Sequence, residues 1–224
     1  MTAPDFDQHA RQYDRLLADA IPPSMQENSY FAEYKVALMA QRLRGRVPQR
    51  ILDFGSGAGR SLAYIERYFP QSRIWGYDVS TESLEVASTR VGRSTLLSDW
   101  DEMRGLQFDA IFAANVFHHV PRDDRVRELT RCRDHLAPNG SMLLFEHNPY
   151  NPLTRWVFER CPFDEGAEML TLRTALQLAR QANFSSWHHG YTLFFPRPLA
   201  SLRCLEPLLR RVPLGAQYFV HMAR

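Results

Sequence analysis

The apolar positions of this chain change period several times, and each change marks an element. Residues 5–19 read as a short helix that stops before Pro22-Pro23. A second helix runs from about Ser29 to Leu43, with Phe31, Tyr34, Leu38 and Met39 on one stripe, and Gly45 and Pro48 end it. From there short apolar runs alternate with amphipathic ones. Arg50–Phe54 reads as a strand and Arg60–Tyr68 as a helix; Arg73–Tyr77 is the next strand and Ser80–Thr89 its helix. Leu96–Leu97 is a third, short strand, and Phe108–Ala113 a fourth, apolar apart from Asp109. A helix over Asp123–Leu136 is closed by the turn signal Pro138-Asn139-Gly140. Ser141–Glu146 follows as a fifth strand, with the unbroken apolar run Met142 to Phe145 expected of a strand buried on both faces. Strands separated by helices in this way predict an α/β, doubly wound, mostly parallel sheet.

Beyond the fifth strand come a Pro-rich insertion at 149–165, a helix near Leu172–Ala182, and strands near Ser186–Phe195 and Ala216–Met222. Between those strands, Pro198–Val212 carries Leu199, Leu202, Leu205, Leu208 and Leu209 at helical spacing, with Arg203, Arg210 and Arg211 around them. The stripe reads as core with a solvated arginine face. The other reading is an interfacial helix facing a lipid, which Pro207 weakens.

With 224 residues, 45% of them hydrophobic, the chain fits one domain, 49–224, carrying an N-terminal helical cap over 1–48. A net charge of +2 gives no reason to expect nucleic acid. Cys132, Cys161 and Cys204 form no CxxC pair and read as reduced thiols of a cytoplasmic protein. No apolar leader and no run near the roughly 18 apolar residues of a membrane span is present, which leaves room only for a weak membrane-surface contact. Lys35 is the single lysine, every other basic side chain being arginine; this reads as codon bias in a GC-rich genome.

The chemistry gathers where strands end. Asp53-Phe54-Gly55-Ser56-Gly57-Ala58-Gly59-Arg60 takes a buried strand through a three-glycine turn into a helix, where backbone N–H groups face a ligand. A tight strand-to-helix connection alone would need the same glycines. Arg60 stands where a dinucleotide fingerprint has Gly or Ala, and Asp53 precedes the turn, so a nicotinamide-dependent oxidoreductase is disfavoured. Asp78, ending the second strand beside Val79, is placed to take ribose hydroxyls or to cap the next helix, as Ser80 also can. Asp99 and Trp100 follow the third strand, positioned for an adenine, with a solvated loop acid as the other reading of Asp99. Asn115 leaves the fourth strand. All four elements fall on the carboxyl edge of the sheet, where ligands of doubly wound folds bind.

The strings "ILDFGSGAGR", "WGYDVSTESLEVA", "LLSDW", "FDAIFAANVFHHV" and "LAPNGSMLLFEHNP" agree in order and spacing with one family. The run from Ile51 to Glu146 resembles a class I (Rossmann-like) S-adenosylmethionine-dependent methyltransferase of the small-molecule type. The resemblance implies a seven-stranded sheet with an antiparallel last strand and S-adenosyl-L-methionine as methyl donor. It places Asp53, Gly55, Gly57 and Gly59 at the methionine end, Asp78 and Val79 at the ribose, Asp99 and Trp100 at the adenine, and Asn115 near the sulfonium. Amino-methyltransferases of nucleic acids carry an Asp/Asn-Pro-Pro-aromatic motif after the fourth strand, where this chain has Asn115-Val116-Phe117-His118. That difference points away from nucleic acid, and the resemblance implies a small or lipid-like acceptor, first of all a hydroxyl, since most relatives of this type modify oxygen. Transfer to nitrogen or carbon and a non-catalytic S-adenosylmethionine-binding protein stay open.

Methyl transfer from a sulfonium is a direct displacement, so alignment in a dry pocket supplies most of the catalysis. A hydroxyl acceptor also has to lose a proton, for which histidine is the natural base. His118, His119 and His147 follow the fourth and fifth strands and are the candidates, a packed and backbone-bonded histidine being the other reading of the pair; His188 and His189 read as surface positions. Tyr13, Tyr30 and Tyr34 of the N-terminal helices either close over the cofactor or pack on the sheet. The 149–165 insertion, with Trp156, Phe158 and Phe163, exceeds a connection of roughly 2–6 residues and predicts a lid.

Overall fold

The computed structural model describes residues 27–224 together with Asp7 and Ile21. The helix expected over 5–19, with Tyr13, lies outside the described residues apart from Asp7. Among the described residues seven strands make one sheet in the order β3-β2-β1-β4-β5-β7-β6. They are β1 (Arg50–Phe54), β2 (Arg73–Tyr77), β3 (Thr95–Leu97), β4 (Phe108–Ala114), β5 (Leu136–His147), β6 (Ser186–Thr192) and β7 (Gln217–Ala223). β1 to β5 pair in parallel, and β7 lies antiparallel between β5 and β6. The helices are α1 (Asn28–Arg42), α2 (Arg60–Tyr68), α3 (Thr81–Ser88), α4 (Arg125–Asp134), α5 (Pro152–Phe158), α6 (Leu172–Gln181) and the short α7 (Glu206–Leu209).

Neighbouring residues of a strand point to opposite faces, and the central strands are apolar on both. Ile51, Phe112, Leu143 and Phe219 pack with Val36 and Met39 of α1 and Leu62 and Ile65 of α2. Leu52, Ile111, Leu144 and Val220 pack on the other face with Leu129 of α4 and Ala175 and Leu178 of α6. Helix α1 is thereby a full layer of the core as well as part of the N-terminal segment.

Two expectations change. Pro138-Asn139-Gly140 does not separate helix from strand: β5 already begins at Leu136, and the tripeptide is a kink within it, with Asn139 at φ 66° and the ladder to β4 shifting register between Phe108 and Ala110. The leucine stripe is not core. Residues Arg197–Leu205 form a 3-10 helix with a kink at Leu199, followed by α7. Leu199, Leu202 and Leu205 of the 3-10 segment and Leu208 of α7 are all exposed.

Candidate active site

β1 delivers the chain into the glycine turn, where Gly55, Gly57 and Gly59 take φ of 73°, 49° and 77°. A Cβ on Gly55 would stand 2.4 Å from Val116 Cγ2, so the β1 and β4 loops touch only because that side chain is absent. Gly57 faces open space, and its N–H donates to Asp78 Oδ2 at 2.7 Å. The other Asp78 oxygen accepts from Ser80 N–H at 2.9 Å, while the Ser80 hydroxyl caps α3 by accepting from Ser83 N–H at 3.0 Å. Ser80 is thus the helix cap, and the Asp78 carboxylate ties the end of β2 to the glycine turn.

Gly55, Gly57, Asp78, Val79 and Asn115 line a cavity of about 520 Å³, inside the range of small-molecule sites. Gly59 and Asp53 are not on its wall. Gly59 instead brings α2 against α3, its absent Cβ leaving room for Ala87 at 2.9 Å. Asp53 lies buried behind the wall with Oδ2 lacking a hydrogen bond. Burial and the Asp78 charge push its carboxyl up to about 8 against the pull of Lys35. Lys35 is itself buried, and desolvation lowers it to about 8 despite Glu146.

Asp99 and Trp100 stand apart from the cavity wall. Asp99 is exposed and caps the 3-10 helix Trp100–Met103, its carboxylate accepting from Asp101 N–H at 2.9 Å. The Trp100 ring packs beside Phe54 and Tyr77 and donates from Nε1 to Glu128 at 3.0 Å. Tyr77 and Glu128, which Trp100 touches, do reach the cavity.

At the opposite end the three sequence-predicted histidines come together on the cavity wall. The His118 Nδ1 lies 2.6 Å from Glu146 Oε2, and its Nε2 3.2 Å from Asp164 Oδ1. The other Glu146 oxygen accepts from the N–H groups of Val116 and Phe117 at 3.1 and 2.7 Å, which pins the loop after β4. His119 Nε2 sits 3.4 Å from the same Asp164 oxygen, and the His118 and His119 rings are 4.0 Å apart. Burial alone would lower His118, but Glu146 and Asp164 reverse it and hold the imidazolium up to about 9. Burial and the His118 charge lower His119 to about 2 and His147 to about 4. Glu146 and Asp164 are both held below their ordinary values, the His118 cation outweighing their desolvation.

The insertion supplies Asp164, along with Phe158 and Phe163, to this end of the cavity; Trp156 is exposed. His188 and His189 are exposed on β6. Tyr30 and Tyr34 turn away from the cavity, Tyr34 onto the sheet and Tyr30 beneath Arg203, while Phe31, Ala32 and Lys35 of the same helix face it. Lys35, Glu146, Asp164 and Gln217, whose Nε2 donates to Asn115 Oδ1 at 3.3 Å, were absent from the sequence reading of the site. Glu146 and Lys35 had a signal: a charge closing the apolar run Met142–Phe145, and one lysine in a chain otherwise built with arginine.

Residues 52–142 match a family model described as a methyltransferase domain. Trans-aconitate 2-methyltransferase of Afipia carboxidovorans is 33% identical over 82% of this chain and 66% of its own length. Ribosomal RNA small subunit methyltransferase C of Pseudomonas aeruginosa is 27% identical over 67% of this chain and 49% of its own. Across such curated relatives the match covers between 27% and 66% of their own length. Among solved structures, a SAM-dependent methyltransferase of Thermotoga maritima aligns over 98% of both chains with a TM-score of 0.69 and 20% identity, a likeness of fold. With that model, those relatives and this sheet order, the chain belongs to the class I S-adenosylmethionine-dependent methyltransferases.

Proposed function

We propose that the chain transfers a methyl group from S-adenosyl-L-methionine to a hydroxyl of a small or lipid-like acceptor. The observation that carries the reading is that one cavity joins the glycine turn and Asp78 to the histidine cluster and the insertion. The residues fit the cofactor: Gly57 offers an open cradle where a Cβ would meet nothing, and the Ser56 hydroxyl, on the wall, lacks a hydrogen-bond partner. Gly55 and Gly57 take the methionine end and Asp78 the ribose, with Asn115 near the sulfur. Lys35, on the wall, offers a cation to the methionine carboxylate. The adenine rests near Val79, with Asp99 and Trp100 acting through the loop they fix. When bound, the cofactor supplies a methyl group activated by a positive sulfur.

The protein's part is alignment and proton removal in a site closed by Phe158 and Phe163. His118 has both ring nitrogens committed to carboxylates and serves to position Asp164 and the loop after β4. His147 lines the cavity with no carboxylate within hydrogen-bonding distance among the described residues, and it takes the hydroxyl proton. Calorimetry with S-adenosylhomocysteine, then labelled methyl transfer into a cell extract, tests the reading. Product methylated on oxygen supports it; product methylated on nitrogen, carbon or RNA, or binding of NAD instead, overturns the acceptor or the cofactor.

A further inference from the structure

We infer that His118, His119 and Asp164 form a binding site for one divalent transition-metal cation at the acceptor end of the cavity. The nitrogens and oxygens that these residues offer all lie within 4.8 Å of one another. Two imidazole Nε2 atoms converge on a single carboxylate oxygen, at 3.2 and 3.4 Å. Points equidistant from three atoms with such separations lie about 2 to 2.4 Å from each, close to metal–imidazole and metal–carboxylate bond lengths. A small inward movement of one ring completes the triangle.

The surroundings are those of a ligand set. Glu146 accepts from His118 Nδ1 at 2.6 Å, which orients the ring and leaves Nε2 as the ligating nitrogen. Glu146 is in turn fixed by two backbone N–H groups, so the orientation is rigid. His118 and Glu146 are buried, and His119 and Asp164 are largely so, which shields the site from bulk water. Three protein ligands leave coordination positions open, and all three residues line the cavity, so those positions face whatever occupies it. Two nitrogens and one oxygen suit Zn²⁺, Co²⁺, Fe²⁺ or Mn²⁺, whereas Mg²⁺ and Ca²⁺ prefer oxygen throughout. Binding displaces the proton between His118 Nε2 and Asp164, and that proton leaves to solvent.

Occupancy rests on this geometry alone; the ion's placement beside an acceptor hydroxyl rests on the methyl-transfer reading. Protein stripped with a chelator and dialysed is titrated with Co²⁺ and Zn²⁺, and the metal retained after gel filtration is counted. The expected result is one equivalent per chain, with visible cobalt bands showing nitrogen and oxygen ligands. Asp164→Asn and His119→Gln each lower affinity at least tenfold, and Glu146→Gln by about 10- to 100-fold, as loss of a ligand-orienting partner does. His189→Gln, on an exposed strand, leaves it unchanged. Wild-type protein that retains no metal overturns the site, as does equal retention by folded Asp164→Asn and His119→Gln. Should those variants not fold, cobalt bands in the wild type that lack imidazole character overturn it. S-adenosylhomocysteine binding is measured on the same stripped protein. Its loss there counts against the methyltransferase reading and not the metal, and its persistence without metal uptake counts the other way.

Discussion

At the glycine end of the cavity the wall comes from one short stretch, residues 55–79: a glycine turn whose N–H groups are tied to Tyr77 and Asp78, and the Asp78 carboxylate. At the histidine end they are side chains drawn from residues 118, 119, 147 and 164, with Glu146 holding His118. The first end is shaped by where the chain can turn, and it tolerates any substrate chemistry beyond it. The second is shaped by charges that hold one another in place, so its members stand or fall together. On the proposed reading the first end holds the cofactor and the second chooses the acceptor.

Glu146→Ala should separate the two ends most sharply. It leaves the Val116 and Phe117 N–H groups and the His118 cation without their buried partner, a loss of about 3–5 kcal/mol when a buried pair is broken. Urea denaturation is the measurement, and a loss under about 1 kcal/mol would mean the histidine end is not mutually dependent. Asp78→Ala should act on binding in preference to folding. Loss of a charge-assisted bond worth roughly 1.5–3 kcal/mol weakens S-adenosylhomocysteine at least about tenfold by calorimetry. Unchanged affinity would reduce Asp78 to the tether between β2 and the glycine turn.

Asp53→Asn is read as a pH dependence. The native carboxyl is raised from 3.8 to about 8, so between those values the folded chain holds a proton that the unfolded chain has lost. Its contribution to stability is present at acid pH and declines as pH rises towards 8. The asparagine variant should lose that decline, so its melting temperature relative to wild type rises across the window. A parallel pair of profiles would show that Lys35 keeps Asp53 ionised. Smallest of all, Leu208→Gln, at a position 80% exposed, should shift stability within about ±0.5 kcal/mol. A large loss would return Leu208 to the core.

The glycine end could be read in the sequence because its parts are consecutive: a strand, a turn that demands glycine, a helix, and the next strand's terminal Asp78. The central sheet was readable for the same reason, β1, β4 and β5 each announcing itself by its own apolar run. Asp164 was not, because only the fold of the insertion carries it from beyond β5 back to His118. Trp100 shows the converse. Its position after β3 is the family's, yet Phe54, Tyr77 and Glu128 fit its ring so well that it packs sideways beneath the cavity. The leucines misled because spacings of three and four suit an α-helix, while spacings of three alone suit the tighter winding that Arg197–Leu205 adopts.

β7 lies between β5 and β6 although it follows both in the chain, and this order bears on synthesis. As the ribosome releases the polypeptide, β5, 12 residues long with the apolar run Met142–Phe145, has a finished ladder on one side and a bare one on the other. β6 cannot cover it, since the gap between them is one strand wide. Until residues 217–223 emerge, the nascent chain carries a sticky open edge of the kind that recruits chaperones or pairs with a neighbouring copy on the same polysome. Translation speed over the stretch between β5 and β7 thus becomes a determinant of yield.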